Sequence, residues 1–267
     1  MASLDTPAVA ADVGTDGRTR PVAVAVLGLF VALTIAAVAA TRFPLAAGIP
    51  LCVLGPAFIL ATGRVETFAR LKLATLIVGR TLVPCAVLGL IGGPVVEMAV
   101  LWLYRINILE AVVEDARKGR YANALAGFAI VSSTALIAIR WVGEYYVVGP
   151  APFLCAAIAY TIWNWNFIVG QFPPTVAVFH VATLAAPLFC GLAARDMGVW
   201  LIIRATSLTV SIVASAWMPE RFERLLEHPE HGVWRDAVLR PAVQRMLSAV
   251  TLAFVVASIA LPRFAAP

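Results

Sequence analysis

Nine apolar runs of about 20 residues dominate the sequence, and each ends at charged residues or at Pro and Gly. They cover residues 22–41, 43–62, 73–91, 94–113, 122–139, 150–169, 175–193, 197–217 and 245–262. An α-helix of about 20 apolar residues crosses the hydrocarbon core of a bilayer. The pattern predicts an all-α, polytopic transmembrane helical bundle of about nine spans. The short breaks at 41–44 and 92–94 leave seven spans open.

Composition excludes a water-soluble enzyme. The 267 residues are 61% hydrophobic and 13% charged, whereas soluble domains carry about 25% charged residues. The four cysteines all lie within apolar runs and lack Cys-x-x-Cys spacing, which indicates small core residues rather than a zinc site. The net charge of +5 belongs to residues that flank the runs, so we expect no nucleic-acid partner.

Basic residues between the runs predict the orientation of the chain. With the N-terminus in the cytoplasm, 13 Arg and Lys residues fall on the inner side and 4 on the outer side. This asymmetry favours nine spans with the N-terminus inside. Abundant alanine and arginine with only two lysines is consistent with a bacterial source, so we expect the inner membrane of a bacterium. Residues 1–21 contain three aspartates and no apolar core, so they are predicted to form a disordered cytoplasmic tail before a single transmembrane domain at 22–263.

An internal similarity relates the fourth and eighth runs. Glu97-Met98 followed by Arg105 corresponds to Asp196-Met197 followed by Arg204, at a constant offset of 99 residues. This similarity suggests a duplication of four spans, at 22–121 and 122–217, followed by a final helix at 245–262. Because each unit has an even number of spans, the two copies would be parallel.

Three arginines, Arg80, Arg105 and Arg204, lie inside apolar runs. Each costs at least about 2.5 kcal/mol at a helix centre unless it is paired or hydrated, so each is a candidate functional residue. One interpretation is that they face a cavity and bind an anionic ligand such as a phosphate. The alternative is that Arg105 and Arg204 bind Glu110 or polar groups of other helices and serve only structure.

Aromatic and amide side chains gather near the predicted cytoplasmic ends of the sixth and seventh runs. Trp163, Asn164 and Asn166 come late in one run, and His180 comes early in the next. Aromatic walls with a few amides would suit a pocket for an amphipathic molecule. The alternative is that the tryptophans anchor the interface and the asparagines bond between helices.

Two acidic stripes lie on the same side of the membrane. Asn107, Glu110 and Glu114 share one helical face, and Glu220, Glu223 and Glu227 repeat that spacing after the eighth run. The two stripes could share Mg²⁺ ions and hold a diphosphate, with Glu110, Glu114, Glu223 and Glu227 as ligands. The alternative is that both stripes are the solvated ends of helices.

The layout of nine spans, a cytoplasmic N-terminus, a four-span pseudo-repeat and acidic stripes resembles the UbiA superfamily of membrane prenyltransferases and terpene cyclases. The family places Asp-rich motifs after its second and sixth spans. Here those places hold Thr62-Gly63-Arg64-Val65-Glu66 and Gly170-Gln171-Phe172-Pro173-Pro174, which lack the motif. The resemblance implies an enzyme acting on an isoprenoid diphosphate and does not assign its catalytic residues.

Three classes of function follow. The first is a membrane enzyme acting on an isoprenoid or lipid phosphate, with Arg105, Glu110 and Glu114 as candidate catalytic residues and Mg²⁺ as cofactor. Its candidate substrate-binding residues are Arg80, Asn107, Trp163, Asn164, Asn166, His180 and Arg204. The second is a transporter of small solutes or lipids, and the third is a noncatalytic membrane subunit or assembly factor. Expected partners are membrane lipid, a second copy of the chain or another membrane protein.

Overall fold

Helices occupy each of the nine apolar runs in the computed structural model. The structure describes residues 16–63, 65, 67–149, 153–228 and 230–264. Of the residues that the structure describes, 85% are helical, which confirms the all-α class. Residues 1–15 of the predicted tail lie outside the described residues, and the first helix begins at Asp16.

The first half of the chain forms five helices. They are α1 (Asp16–Arg42), α2 (Gly55–Thr62), α3 (Thr67–Val87), α4 (Gly93–Arg117) and α5 (Tyr121–Ser133). Two π-helical turns at Pro44–Gly48 and Pro50–Leu54 precede α2. Each begins at a proline, which cannot donate the backbone hydrogen bond of a regular helix. A 3₁₀ turn at Thr134–Leu136 extends α5.

A β-hairpin separates the two halves of the chain, and the sequence analysis did not predict it. Strands β1 (Ala138–Val142) and β2 (Tyr145–Gly149) are antiparallel, with Val142 opposite Tyr145. Gly143 has a φ of 60° at the first position of the two-residue turn, as a type II′ turn requires. The fifth apolar run therefore ends in a strand rather than in a helix.

The second half contains six helices. They are α6 (Leu154–Gln171), α7 (Pro174–Ala193), α8 (Trp200–Trp217), α9 (Pro219–Leu226), α10 (His231–Val238) and α11 (Pro241–Phe264). A 3₁₀ turn at Met197–Val199 leads into α8. The short helices α9 and α10 lie in the long segment between the eighth and ninth runs.

Five segments are long and apolar enough to cross a membrane, as in an integral membrane protein. Among the described residues they are Pro21–Arg42, Pro44–Thr62, Pro174–Ala193, Met197–Trp217 and Pro241–Leu261. Helices α3 and α4 carry several charged residues, and α5 is short. Nine spans and the internal repeat are therefore not confirmed, and both remain predictions.

Helix α8 packs against α1, α2, α3 and α7, while α11 packs against α5 and α6. The hairpin packs against α4 and α8. It lies near the N-terminal ends of both helices, since Trp141 contacts Gly93 and Val148 contacts Gly198. Two chambers within the bundle are lined by residues of α3, α4, α6, α7 and α8.

Candidate functional site: two adjacent chambers

Two chambers are stacked along the axis of the bundle. The larger has a volume of about 360 Å³, and the smaller has about 70 Å³. Asn107, Arg204 and Leu208 line both. Along α8 the small chamber begins at Leu201 and the large one extends to Ala216, so together they follow about 22 Å of helix.

The order of residues along the helices places the small chamber at the hairpin end. On α4 the small chamber begins at Val100 and the large one reaches Ala111. On α3, which runs the opposite way, the large chamber comes first at Ala69 and the small one ends at Arg80. The hairpin itself contributes Tyr146 to the small chamber.

Arg204 lies where the two chambers meet. Its side chain is on α8 and only 3% of the residue is exposed. One terminal nitrogen, Nη2, donates a hydrogen bond of 3.0 Å to Oδ1 of Asn164. The guanidinium carbon lies 5.9 Å from the centre of the Tyr160 ring. Nε and Nη1 have no hydrogen-bond partner among the described residues, so their three N–H groups remain for a ligand or for water.

Arg80 lines the small chamber from α3 and is also only 3% exposed. Its Nε and Nη1 atoms, like those of Arg204, lack a hydrogen-bond partner within the described part of the chain. The ion pairs found among the described residues do not include Arg80 or Arg204. A buried charge without a counter-ion is costly. These two guanidinium groups therefore form a buried cationic site.

Lys72 and Glu110 form an ion pair beside the large chamber. Lys72 Nζ lies 2.8 Å from Glu110 Oε2, and it also donates to the backbone carbonyl of Asn107. The pair joins α3 to α4 and compensates both charges locally. Lys72 lines the chamber, but its charge is already balanced by Glu110.

His180 lines the large chamber from α7, and the residue is 5% exposed. Neither ring nitrogen has a hydrogen-bond partner among the residues that the structure describes. A neutral imidazole offers one donor and one acceptor, so His180 can bind a polar group of a ligand. The structure thus brings five of the predicted substrate-binding residues to the chamber walls: Arg80, Asn107, Asn164, His180 and Arg204.

Trp163 and Asn166 belong to a second, separate polar cluster. Asn123 Nδ2 donates to Asp115 Oδ2 at 2.6 Å, and Asn166 Nδ2 donates to Asn123 Oδ1 at 2.9 Å. Trp163 Nε1 donates to the Asn123 carbonyl at 3.0 Å. Neither Trp163 nor Asn166 lines the two chambers. Their placement agrees with the alternative of hydrogen bonding between helices.

The same cluster contains the buried carboxylate of Asp115, whose Oδ1 lies 2.6 Å from Arg120 Nη2. Burial raises the pKa of Asp115 to about 6, although Arg120 and the hydrogen bond from Asn123 oppose the rise. The cluster ties the end of α4 to α5, α6 and α11, because Gln244 also donates to Asn166. Sequence analysis missed Asp115 and Asn123, although two polar residues eight positions apart at a helix junction were a visible signal.

Arg105 lies outside both chambers. Its Nε donates to Thr134 Oγ1 at 2.8 Å, and Nη2 donates to the Thr134 carbonyl at 3.2 Å. The guanidinium carbon is 5.1 Å from the Trp102 ring. Arg105 therefore ties α4 to the end of α5, and the structure does not bring it together with Arg204.

The acidic stripes do not converge on the chambers. Glu114 lies 3.5 Å from Lys118, and Glu223 and Glu227 are exposed on α9 and just after it. Within the described residues, no group of three or more His, Cys, Asp or Glu side chains could hold a metal ion. Glu110, Glu114, Glu223 and Glu227 as Mg²⁺ ligands, and Glu110 and Glu114 as catalytic residues, remain predictions.

The sequence analysis also missed three tyrosines, Tyr104, Tyr146 and Tyr160, that line the small chamber. Tyr160 comes four residues before Asn164 and Tyr104 three before Asn107, a spacing that places each pair on one helical face.

Comparisons with protein-family models, with curated proteins and with solved structures find no match to this chain. The resemblance to the UbiA superfamily therefore remains a prediction from layout.

Proposed function

We propose that this protein binds an anionic, lipid-like molecule, an isoprenoid or lipid phosphate, in the two adjacent chambers. The observation that carries the proposal is the pair of buried guanidinium groups, Arg204 and Arg80, whose Nε and Nη1 atoms have no partner among the described residues. Guanidinium groups match the geometry of phosphate oxygens. A bound anion would offset the cost of burying two positive charges.

The chamber walls support a ligand with an apolar part. Phe167, Ile168, Phe172, Val176 and Phe179 line the large chamber, and these side chains offer dispersion contacts but no hydrogen bonds. A free inorganic anion would leave that surface unused. An amphipathic anion would use both the apolar walls and the guanidinium groups.

The setting that we propose is the inner membrane of a bacterium, which the chain crosses several times with its N-terminus in the cytoplasm. The inner-side excess of 13 to 4 basic residues supports this orientation. The large chamber then lies toward the cytoplasmic side, because the C-terminal halves of α4 and α8 line it.

Native mass spectrometry of the detergent-purified protein tests the proposal, with and without Mg²⁺. We expect the wild type to retain a lipid or isoprenoid phosphate and Arg204→Gln to lose it. Arg105→Gln is the matched control, because it removes the same charge from a helix that also lines the chambers, at a site already bonded to Thr134. Equal retention by both variants would contradict the proposal.

Chemical conversion of the bound molecule, either prenyl transfer or cyclisation, is the enzymatic form of this proposal. It requires Mg²⁺ near Glu110 and Glu114, of which Glu110 is ion-paired with Lys72, a residue that lines the large chamber. The double variant Glu110→Gln, Glu114→Gln should then abolish Mg²⁺-dependent turnover and leave the protein assembled. Turnover that persists in this variant would exclude the two carboxylates as metal ligands.

Transport of the same anion is the second candidate function. The stacking of the chambers along about 22 Å of α8 favours it, since their combined length approaches that of a bilayer core. Reconstitution into liposomes separates the two: uptake of a labelled lipid phosphate without chemical change indicates transport.

A further inference from the structure

We infer that the ligand enters head first, with a terminal phosphate in the small chamber between Arg204 and Arg80 and a single apolar chain in the large chamber. This inference rests on the proposed function and adds the orientation and the chemical class of the ligand. A terminal phosphate here means a monoester, whose phosphate carries nothing beyond its one chain.

Charge places the head in the small chamber. Arg80 lines only this chamber and Arg204 lines both. A phosphate in the large chamber could reach Arg204 but would leave Arg80 buried and uncompensated. A phosphate in the small chamber faces both guanidinium groups, so it is the position that compensates the most buried charge.

Volume and chemistry place the chain in the large chamber. It has about five times the volume of the small one (about 360 against 70 Å³), and aromatic and aliphatic side chains dominate its walls. Its one lysine is balanced by Glu110. The chain would leave past Val176 and Pro219, near the start of α7 and the end of α8.

The size of the small chamber sets the specificity. A compact oxyanion needs the least room in a chamber of about 70 Å³, whereas a phosphate that also carries choline or glycerol needs additional space. Hence we expect phosphate monoesters of single-chain lipids to bind and diesters with larger head groups to be rejected.

Two detergents with the same chain test this inference. Dodecyl phosphate is a monoester, and dodecylphosphocholine has the same chain and phosphate with a choline added. Binding to the purified protein in a neutral maltoside is measured by calorimetry. We expect dodecyl phosphate to bind at least tenfold more tightly than dodecylphosphocholine, and inorganic phosphate to bind more weakly than dodecyl phosphate, because it lacks the chain.

Arg80→Gln should weaken the binding of dodecyl phosphate by about tenfold or more, the usual loss for one charged hydrogen bond. Arg105→Gln should leave the affinity unchanged. Arg80→Lys keeps the positive charge and should retain part of the affinity. It is the control that separates loss of a binding group from a defect in folding. Ala205→Leu should reduce binding by narrowing the small chamber, which Ala205 lines.

The outcomes separate the inference from the proposed function. If both detergents bind equally and Arg204→Gln weakens both while Arg80→Gln changes neither, the head lies in the large chamber: the inference fails and the proposed function stands. If neither detergent nor inorganic phosphate binds, both fail. If inorganic phosphate binds as tightly as dodecyl phosphate, the site takes free phosphate and the single-chain ligand is excluded.

Discussion

At the residue scale, buried polar side chains fall into two groups that the sequence does not distinguish. Asn164 and Asn166 are two positions apart on α6, yet Asn164 binds Arg204 at the chambers and Asn166 binds Asn123 in the structural cluster. Residues two positions apart on a helix are separated by about 200° around its axis. The spacing could therefore place the two residues on opposite faces of the helix, but it could not show which face meets the chambers.

Asn123 hydrogen-bonds to Asp115, Trp163 and Asn166 in the polar cluster that joins α4, α5 and α6. Its replacement should therefore lower the stability of the protein. Asn123→Ala leaves Asp115 Oδ2 and Asn166 Nδ2 without the bonds that Asn123 provides, at about 1–3 kcal/mol for each buried group. We expect a clear fall in the unfolding midpoint in a denaturant titration. Ser132→Ala, at an exposed position of the same helix, is the control and should change little.

Asp115 should make stability depend on pH. Its pKa in the folded protein is about 6, above the value of about 3.9 in an unfolded chain. The folded state therefore binds the proton more tightly, and this contribution to stability is complete below about pH 4 and lost as the pH rises through 6. We expect the unfolding midpoint to fall between about pH 4 and pH 6.

The measurement compares the wild type with Asp115→Asn, which keeps an oxygen that can accept from Asn123 but cannot titrate. The difference in slope between the two proteins isolates Asp115 from other groups. Glu223→Gln, at an exposed position, should keep the slope of the wild type. An unchanged slope in Asp115→Asn would show that the carboxyl does not titrate in this range.

At the scale of elements, α5 packs closely against its neighbours through a glycine. A Cβ atom built on Gly127 would lie 2.6 Å from Trp163 Nε1 and 2.6 Å from a methyl group of Val112. Small residues let helix backbones approach closely in membrane proteins. The close contact of α4, α5 and α6 therefore depends on the absence of a side chain at this position.

Gly127→Ala should destabilise the protein by about 1–3 kcal/mol, the usual cost of overpacking a well-packed site. Gly28→Ala on α1 is the matched control, because a Cβ there meets no atom within 4 Å. Thermal unfolding in detergent measures both. If the two variants unfold at the same temperature, α5 does not pack as closely as the structure indicates.

Apolar runs predicted where helices form, because burial of about 20 apolar residues dominates local preferences. They did not predict the hairpin, although Gly143-Glu144 lies between two segments rich in β-branched and aromatic residues, a typical hairpin pattern. Periodicity in a short apolar segment does not separate strand from helix. The contacts with α4 and α8 that stabilise the hairpin are long-range and do not show in the local sequence.

At the scale of the whole molecule, the number of spans depends in part on whether α5 crosses the membrane. Together with the turn that follows it, this apolar helix covers Tyr121–Leu136, or about 24 Å, slightly less than the bilayer core of about 30 Å. If α5 crosses the membrane, Lys118 and Glu144 lie on opposite sides.

Labelling of single cysteines with a membrane-impermeant maleimide measures on which side of the membrane each of these two positions lies. The variants Lys118→Cys and Glu144→Cys both alter exposed residues, and the four native cysteines are replaced first. In intact cells we expect label on the cysteine at 144 and, only after permeabilisation, on the one at 118. Equal labelling of both in intact cells would reduce the span count and reverse the orientation of everything that follows.

Arg204 and Arg80 were recognisable from sequence, because a charge in an apolar run is rare and costly. That they share a chamber was not recognisable, since α3 and α8 are far apart in the chain and only their packing brings the two side chains together. Arg105 looked equivalent to Arg204 through the offset of 99 residues, and its bonds to Thr134 show that equal spacing does not give an equal environment.

The position of the hairpin affects how a ligand enters and leaves the chambers. Because it contributes Tyr146 to the wall of the small chamber and packs on α4 and α8, a molecule that crossed the protein by way of Arg80 would have to pass it. Transport would require the hairpin to move. While the hairpin stays in place, a molecule that reaches Arg80 would enter and leave at the far end of the chambers, from one leaflet alone. Lipid in the opposite leaflet would have to cross the bilayer elsewhere before this protein could capture it.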